Sequence, residues 1–189
     1  MYPHRPVRLF TSLLGTASLV ATLVIGIAPQ AQAASFGSIV CTASVQYPHA
    51  STHVSGTINV VSSVNCSAVM KEIYQQTRLY KSGGGSWLGL PFDRFNVSYG
   101  SSNAATACSN GPGTFYGTAY TILYPPAGYS PSRGTIESAG ASSWVKCGSG
   151  VTRLAPSGED ITQLKAEGFT VTEDFRGVTV SKEFKFSKN

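Results

Sequence analysis

Two histidines beyond the first 33 residues, His49 and His53, are the side chains best suited to binding a metal. On a helix, a spacing of four would place both imidazoles on one face, as in many zinc sites. Pro48 and the surrounding strand pattern instead place them around a hairpin loop, with no free cysteine or nearby carboxylate as a third ligand. We therefore predict no metal and no cofactor, and expect both histidines to stabilise and solubilise a turn.

Acid–base catalysis needs carboxylates in pairs, and a glycosidase needs two that face one bond. Residues 34–149 contain three carboxylates on different predicted strands or loops: Glu72, Asp93 and Glu137. Abundant serines together with His53 and Asp93 could supply the three residue types of a catalytic triad. The G-x-S-x-G motif of a nucleophile elbow is absent, however, because Trp87 occupies the position of the serine. An enzyme is the less favoured class, and no catalytic residue is assigned.

Aromatic side chains in loops are better candidates for a functional role than the histidines and carboxylates. That role would be the recognition of a partner. Trp87 follows three glycines, and Tyr124 and Tyr129 bracket a Pro-Pro-Ala-Gly turn. Exposed rings on rigid loops can stack on sugars or fill a partner's pocket. We predict a contact surface that includes these three rings and the two histidines. For each ring taken singly a structural role is favoured, with Trp87 covering the end of a sandwich and the tyrosine loop packing on it.

Charge and motifs exclude several partner classes. Only 12% of the 189 residues are charged, and removal of Arg5 and Arg8 with the leader described below lowers the formal charge from +5 to +3. Such a balance does not favour nucleic acid as a partner. Neither a glycine-rich phosphate loop nor an aromatic-basic platform occurs in the sequence.

The first 33 residues have the order of parts that is typical of a secretory signal peptide. Two arginines precede an uncharged apolar stretch from Thr11 to Ala28, and Ala31-Gln32-Ala33 supplies small residues for a signal peptidase. The alternative is a retained membrane anchor, since the stretch approaches the length of a membrane span. We predict cleavage after Ala33 and a secreted, extracellular protein without a membrane partner.

Four cysteines follow this cleavage site: Cys41, Cys66, Cys108 and Cys147. An even number in an oxidising compartment predicts two disulfides. Zinc is disfavoured because no C-x-x-C spacing occurs. Three pairings are possible, and the working prediction joins consecutive cysteines, Cys41 with Cys66 and Cys108 with Cys147.

The elements that must position these residues are predicted to be short antiparallel strands. Apolar residues alternate along Ile39–Tyr47 and Val54–Ser62. Turns rich in Gly, Pro and Asn separate further predicted strands, which are Phe92–Tyr99, Ala104–Cys108, Thr114–Tyr124 and Ser142–Cys147. Val69–Tyr80 fits both a helix and a strand, and its neighbours favour a strand. We therefore predict a mainly β, disulfide-bonded antiparallel β-sandwich over residues 34–149.

Residues 150–189 have a different composition and are predicted to form a helix followed by a β-hairpin. Acidic residues after Ser157 are typical of a first helical turn, and Gly168 suits a left-handed closing position that places Phe169 on Leu164. Phe169–Glu173 and Val178–Phe186 alternate as hairpin strands. This appendage is too small to fold alone, so it must dock on the sandwich, pair with another chain or stay loosely folded.

The segment from about Ser38 to Cys147 resembles a group of small exported actinobacterial proteins with four cysteines and unknown function. The resemblance is carried by Gln46–His49, His53–Val60, Leu79–Lys81, Asn103–Ala105 before Cys108, and Pro125–Pro131. It implies an extracellular, disulfide-bonded, largely β protein and supplies no catalytic residues. Residues 150–189 extend past the usual end of such chains.

Three functions remain open at this point. The favoured one is a non-catalytic extracellular module that recognises a cell-wall polymer, a glycan or a protein. The second is a secreted hydrolase with an unrecognised site. The third is a secreted inhibitor or toxin that uses the C-terminal appendage. The ligand, the oligomeric state and the role of residues 150–189 are not determined by the sequence.

Overall fold

The computed structural model describes residues 37–148, 158–174 and 177–189. These belong to one compact unit that runs from Ser35 to Asn189. Within the described ranges, no helix has the length and apolar character required to span a bilayer. The predicted signal peptide, Met1–Ala33, lies outside the described residues.

Eleven strands, one α-helix and one short 3-10 helix make up the described chain. In chain order they are β1 (Ser38–Gln46), β2 (His49–Ala50), β3 (Thr57–Lys81), β4 (Ser86–Leu88), β5 (Phe92–Ala107), the 3-10 turn (Cys108–Asn110), β6 (Gly113–Tyr124), β7 (Tyr129–Ser130), β8 (Gly134–Ala139), β9 (Ser143–Val145), α1 (Gly158–Ala166), β10 (Thr170–Asp174) and β11 (Gly177–Lys188).

All strands belong to one antiparallel sheet with the central order β10-β11-β1-β3-β6-β8. The 25-residue strand β3 organises this sheet. Its first half lies between β1 and β5, and its second half lies between β6 and the β4–β5 segment. The predicted mainly β, disulfide-bonded fold is confirmed. Its strands form one curled sheet, whose halves face each other, rather than two separate sheets of a sandwich.

The curl originates in the middle of β3. Even-numbered residues of its first half are buried, whereas odd-numbered residues from Ile73 onward are buried, so the strand changes phase. The pairing with β5 also shifts register between Asn65 and Met70, as expected for a bulge that bends a strand. The two halves then meet inside the molecule, where the hydroxyls of Ser62 and Thr77 form a hydrogen bond.

Two apolar clusters fill the space between the two halves of the sheet. One contains Ile39, Ile73, Leu123 and Phe186, and the other is built around Phe115 with the aliphatic side chains next to it. Buried polar side chains occupy the strand positions between the clusters: Ser62, Gln75, Thr77, Ser102, Thr121 and Ser138. The space between the two halves of the sheet therefore holds two apolar regions separated by this polar belt, and a third apolar cluster contains Leu164 of α1.

Both predicted disulfides are present. Cys41 lies directly opposite Cys66 on β1 and β3, and their disulfide is buried in the first apolar cluster. Cys108 and Cys147 join the end of β5 to the segment after β9. No cysteine is free in the described part of the chain. The working pairing of consecutive cysteines is therefore confirmed.

The C-terminal segment docks on the main sheet, which resolves the three alternatives left open by the sequence. Helix α1 ends at Ala166 and is followed by Gly168, whose φ is +83°. The amide of Phe169 donates to the carbonyl of Leu164 over 3.1 Å. This is the Schellman closure that the sequence predicts. Strand β11 pairs with all nine residues of β1 and buries Phe186 in the core.

Several strand boundaries differ from the sequence-based expectations. The segments Val54–Ser62 and Val69–Tyr80 are predicted as separate strands, but Thr57–Ser62 and Val69–Tyr80 belong to the continuous β3. Val54–Gly56 lie in the loop before it. Likewise the predicted strands Phe92–Tyr99 and Ala104–Cys108 are joined in β5, because Gly100–Asn103 also pairs with β3. Strand β5 ends at Ala107, and Cys108 begins the 3-10 turn. Strand β8 was not expected, since Ile136 is its only large apolar residue. Gly134 at its start lets the rings of Phe184 and Phe186 pack closely, where a Cβ would lie 2.7 Å from each.

Candidate binding surface

The outer surface of the second half of the sheet carries a row of tyrosines. Strict alternation turns one set of residues on β3 and β6 toward solvent, while their neighbours face the core. We call this surface the tyrosine face, and its five tyrosines are Tyr74, Tyr80, Tyr116, Tyr120 and Tyr124. The two strands thus place five rings on one side of the sheet.

Cross-strand pairing orders these rings. Tyr80 lies directly opposite Tyr116, and the two rings stack with centroids 4.9 Å apart and planes 8° apart. The guanidinium carbon of Arg78 lies 5.9 Å from the Tyr80 centroid, within the range of a cation–π contact. Tyr116 and Tyr120 remain 36% and 38% exposed, so their rings are accessible to a ligand.

A groove of about 540 Å³ runs across this face. One row of opposite residues crosses four strands at its centre, from Leu88 through Arg78 and Thr118 to Ala139. Thr118 and Ala139 have small side chains, whereas the residues of the neighbouring rows have larger ones. The groove lies above the small side chains, between the larger ones. Phe169, from the segment after α1, completes its lining.

The groove has fixed polar groups as well as rings. Gln76 accepts a hydrogen bond from the Tyr74 hydroxyl at 3.0 Å and donates to the carbonyl of Gly89 at 3.1 Å. Arg78 and Glu137 supply one positive and one negative charge to the lining. The groove therefore combines an aromatic wall with opposite charges that balance each other.

Three tyrosine hydroxyls on this face have no hydrogen-bond partner among residues 37–148, 158–174 and 177–189. They belong to Tyr80, Tyr116 and Tyr120. Each can donate one hydrogen bond and accept others from a bound molecule. The site can therefore bind a ligand that has both apolar faces and hydroxyl groups.

The structure separates the three aromatic residues that the sequence groups together. Trp87 lies on β4 opposite Leu79, is half-buried, and packs against the Phe115 ring with centroids 6.2 Å apart. It therefore faces the interior and covers one end of the second apolar cluster. Tyr124 lies on the tyrosine face opposite Glu72. Their partners on β3, Leu79 and Glu72, are seven residues apart, which corresponds to about 23 Å along the strand.

Tyr129 and His49 are both half-buried. Tyr129 lies on β7, pairs with Lys188 of β11 and packs on the first apolar cluster. His49 lies on β2, with its Nδ1 atom 3.2 Å from the carbonyl oxygen of Tyr47. Neither residue borders the groove of the tyrosine face.

His53 is exposed in the loop between β2 and β3 and lines a separate groove with Asn59 and Asn103. Over the described ranges, no group of three or more His, Cys, Asp and Glu side chains is close enough to hold a metal ion. The sequence-predicted contact residues therefore lie in different parts of the molecule.

The three carboxylates of residues 34–149 all lie on the same outer side of the sheet. Glu72 is opposite Phe95, and Asp93 is opposite Tyr74, so these two acids are diagonal neighbours on β3 and β5. Glu137 lies on β8, opposite Tyr120. Only Glu137 lines the groove.

Sequence reasoning missed most of the tyrosine face. Tyr116, Tyr120 and Tyr124 are separated by even numbers of residues, as are Tyr74 and Tyr80. Even spacing on a strand places side chains on one face. The signal was therefore present, but it could be used only after both segments were known to be adjacent strands.

No known protein family, curated protein or solved structure matches this chain. The interpretation of the tyrosine face therefore depends on its own geometry and chemistry.

Proposed function

We propose that this protein is an exported, non-catalytic recognition module that binds a neutral glycan, such as a cell-wall polysaccharide, through the tyrosine face. The observation that carries this proposal is the stacked Tyr80–Tyr116 pair beside a groove lined by Tyr120. Sugar rings present apolar C–H faces that pack on aromatic rings and hydroxyl groups that bond to the polar edges.

The character of the groove supports a neutral ligand. Arg78 and Glu137 are the charged side chains among its described lining residues, and their charges cancel. Its volume of about 540 Å³ lies in the range typical of small-ligand sites. Tyrosine side chains also lose little conformational entropy on binding, because each has only two rotatable torsions before the hydroxyl.

Export is the second part of the proposal. Its support is the signal-peptide pattern of Met1–Ala33 and the two disulfides, which fit an oxidising compartment. A wall polysaccharide is a ligand that an exported protein encounters. The resemblance to small exported four-cysteine proteins agrees with the same location.

The two other functions have less support. A glycosidase requires two carboxyl groups across one bond, and Glu137 is the single carboxylate among the described residues that line the groove. An inhibitor or toxin that makes its contact through residues 150–189 has less support, because β11 of this segment pairs with β1 inside the sheet and buries Phe186 in the core. Hydrolysis remains an outcome that the test below can detect.

The test is retention of the mature protein on insoluble polysaccharides, namely cellulose, chitin, xylan and purified peptidoglycan. We expect at least one polymer to retain the protein and Tyr120→Ala to weaken that binding about tenfold or more, the effect of losing a central aromatic contact. Tyr99→Ala is the matched control, because Tyr99 is 55% exposed on β5 and lies outside the groove.

Two results would contradict the proposal. Equal loss of retention in Tyr120→Ala and Tyr99→Ala would mean that the tyrosine face is not the site. Release of soluble sugar, abolished by Glu137→Gln while retention persists, would favour the hydrolase instead. Circular dichroism of each variant checks that the fold is intact.

A further inference from the structure

A second groove, of about 340 Å³, lies on the outer surface of the first half of the sheet. We call it the amide groove, after Asn59 on β3 and Asn103 on β5. The loop from Ser51 to Gly56 forms its rim, with His53 and Val54 at the edge. Nothing in the tyrosine face contributes to this groove.

The rim loop is held in place by its own hydrogen bonds. The Ser51 hydroxyl accepts from the amides of His53 and Val54 at 3.3 and 3.0 Å, and the Thr57 hydroxyl donates to the Val54 carbonyl at 2.8 Å. Gly56 has a φ of +77°, which glycine adopts without a Cβ penalty, and its carbonyl accepts from the Cys108 amide. A ligand would therefore meet an ordered loop, which lowers the entropy cost of binding.

The polar groups of the amide groove are largely uncommitted. Asn103 Nδ2 lies 3.4 Å from Asn59 Oδ1, which is longer than a typical hydrogen bond, and no other side-chain partner of either amide lies in the described part of the chain. The His53 ring is exposed, and Val54 is 60% exposed beside it. No charged side chain belongs to the described lining.

This combination of two amides, an imidazole and an apolar contact suits a compact, uncharged molecule with several hydroxyl groups. Each amide can donate and accept at the same time, as neighbouring hydroxyls of a sugar require. A nucleotide or an acidic sugar would find no cation among the described lining residues to balance its charge. The amide groove therefore suits the hydroxyl groups of a neutral glycan, whereas the tyrosine face also offers aromatic rings.

The two grooves point in different directions. The inner surfaces of the two halves of β3 pack on each other, as the Ser62–Thr77 hydrogen bond demonstrates. Asn59 lies on the outer surface of the first half, and Gln76 lies on the outer surface of the second half. Because the inner surfaces face each other, the outer surfaces face apart.

We infer that the amide groove is a second site, for one sugar residue of a neutral glycan, and that the molecule can bridge two polysaccharide chains. This inference rests on the proposed function of the tyrosine face. It adds bivalency, which raises the overall affinity for a polymer without any new contact at the first site.

The experiment is an NMR titration of the full mature protein with soluble cellohexaose, chitohexaose and xylohexaose, in the parent and in Tyr120→Ala. We expect one of these probes to shift the side-chain amide signals of Asn59 and Asn103 and the ring signals of His53. These shifts should persist in Tyr120→Ala, because the amide groove binds independently.

A double variant, His53→Ala with Asn103→Ala, tests bridging. It should still bind through the tyrosine face, but with weaker overall retention on the polymer because bivalency is lost. The stoichiometry should fall from two sites to one, and the light scattering produced when the protein is mixed with a soluble form of the bound polymer should disappear. Asn65→Ala is the matched control, since Asn65 is an exposed asparagine of β3 outside the groove. It should leave the scattering unchanged.

The failure of this inference is distinguishable from the failure of the proposed function. If no probe shifts the groove signals, or if their shifts vanish in Tyr120→Ala, the second site is rejected while the tyrosine face can still bind. If the groove signals respond but those of Tyr116 and Tyr120 do not, the proposed function of the tyrosine face is rejected. Equal loss of scattering in Asn65→Ala would also overturn bridging.

Discussion

At the scale of single residues, the most unusual feature of the interior is Gln75. Its side chain is fully buried, and neither its amide nitrogen nor its amide oxygen has a partner within the described ranges. Thr121 lies directly opposite on β6, and its hydroxyl is also unpartnered there. A buried polar group without a hydrogen bond costs about 1–3 kcal/mol. The polar belt therefore limits the stability of the protein.

Replacement of Gln75 by leucine should stabilise the protein. Leucine has a similar size and removes the cost of desolvating the amide, so we expect the free energy of unfolding to rise by about 1–3 kcal/mol. Urea denaturation with an unchanged slope would measure this gain. Gln76→Leu is the matched control, because Gln76 faces outward and bonds to Tyr74 and Gly89. A fall in stability for Gln75→Leu would show that its amide is hydrogen-bonded in solution.

At the scale of elements, strand β11 determines whether the molecule is one domain or two. It pairs with β1 from Ser38–Ser187 to Gln46–Thr179, and it buries Val180 and Phe186 completely. The helix α1 adds Leu164 to a third apolar cluster with Tyr47 and Val178. Residues 158–189 therefore form part of the core.

Truncation after Gly148 should accordingly prevent folding, because it exposes the β1 edge and removes part of two apolar clusters. We expect the truncated chain to show no cooperative thermal transition by circular dichroism. The point variant Phe186→Ala tests the same contact more gently and should cost about 3–5 kcal/mol. Lys185→Ala, at the exposed neighbouring position, should stay within about 0.5 kcal/mol. A truncated chain that unfolds cooperatively would establish an independent domain of residues 34–148.

At the scale of the whole molecule, the two disulfides link strands in two different parts of the curled sheet. The Cys41–Cys66 disulfide joins β1 to the middle of β3, near the bulge, and the Cys108–Cys147 disulfide joins the end of β5 to the segment after β9. Charged residues contribute little to this chain, since they make up only 12% of it. Its stability therefore depends mainly on apolar burial, on the backbone hydrogen bonds of the sheet and on these two covalent links.

Reduction should lower the free energy of unfolding by roughly 3–4 kcal/mol for each disulfide, a figure from the chain entropy of loops of this size. Double variants, Cys41→Ala with Cys66→Ala and Cys108→Ala with Cys147→Ala, separate the two contributions by denaturant unfolding. Native protein treated with an alkylating reagent before any reductant should remain unlabelled. Labelling of four thiols at that stage would contradict the fold and its proposed export together.

The sequence by itself determined the local structure. Period-two alternation predicts β1 and the hairpin strands, Gly168 predicts the helix closure with Phe169, and even spacing puts tyrosines on one side of any strand that carries them. These features depend on backbone geometry over a few residues, which the sequence specifies directly. The pairing of consecutive cysteines was one of three possibilities until the strands were placed.

Only the tertiary structure decided which surfaces exist. The bend in β3 changes which residues face inward, and sequence alternation does not specify that change. The groove gathers Arg78, Tyr120, Glu137 and Phe169 from four distant segments. Trp87, which looks exposed in a glycine-rich segment, instead packs on Phe115. These outcomes depend on which strands pair and how the sheet curls, and such long-range choices minimise the free energy of the whole chain rather than of any local segment.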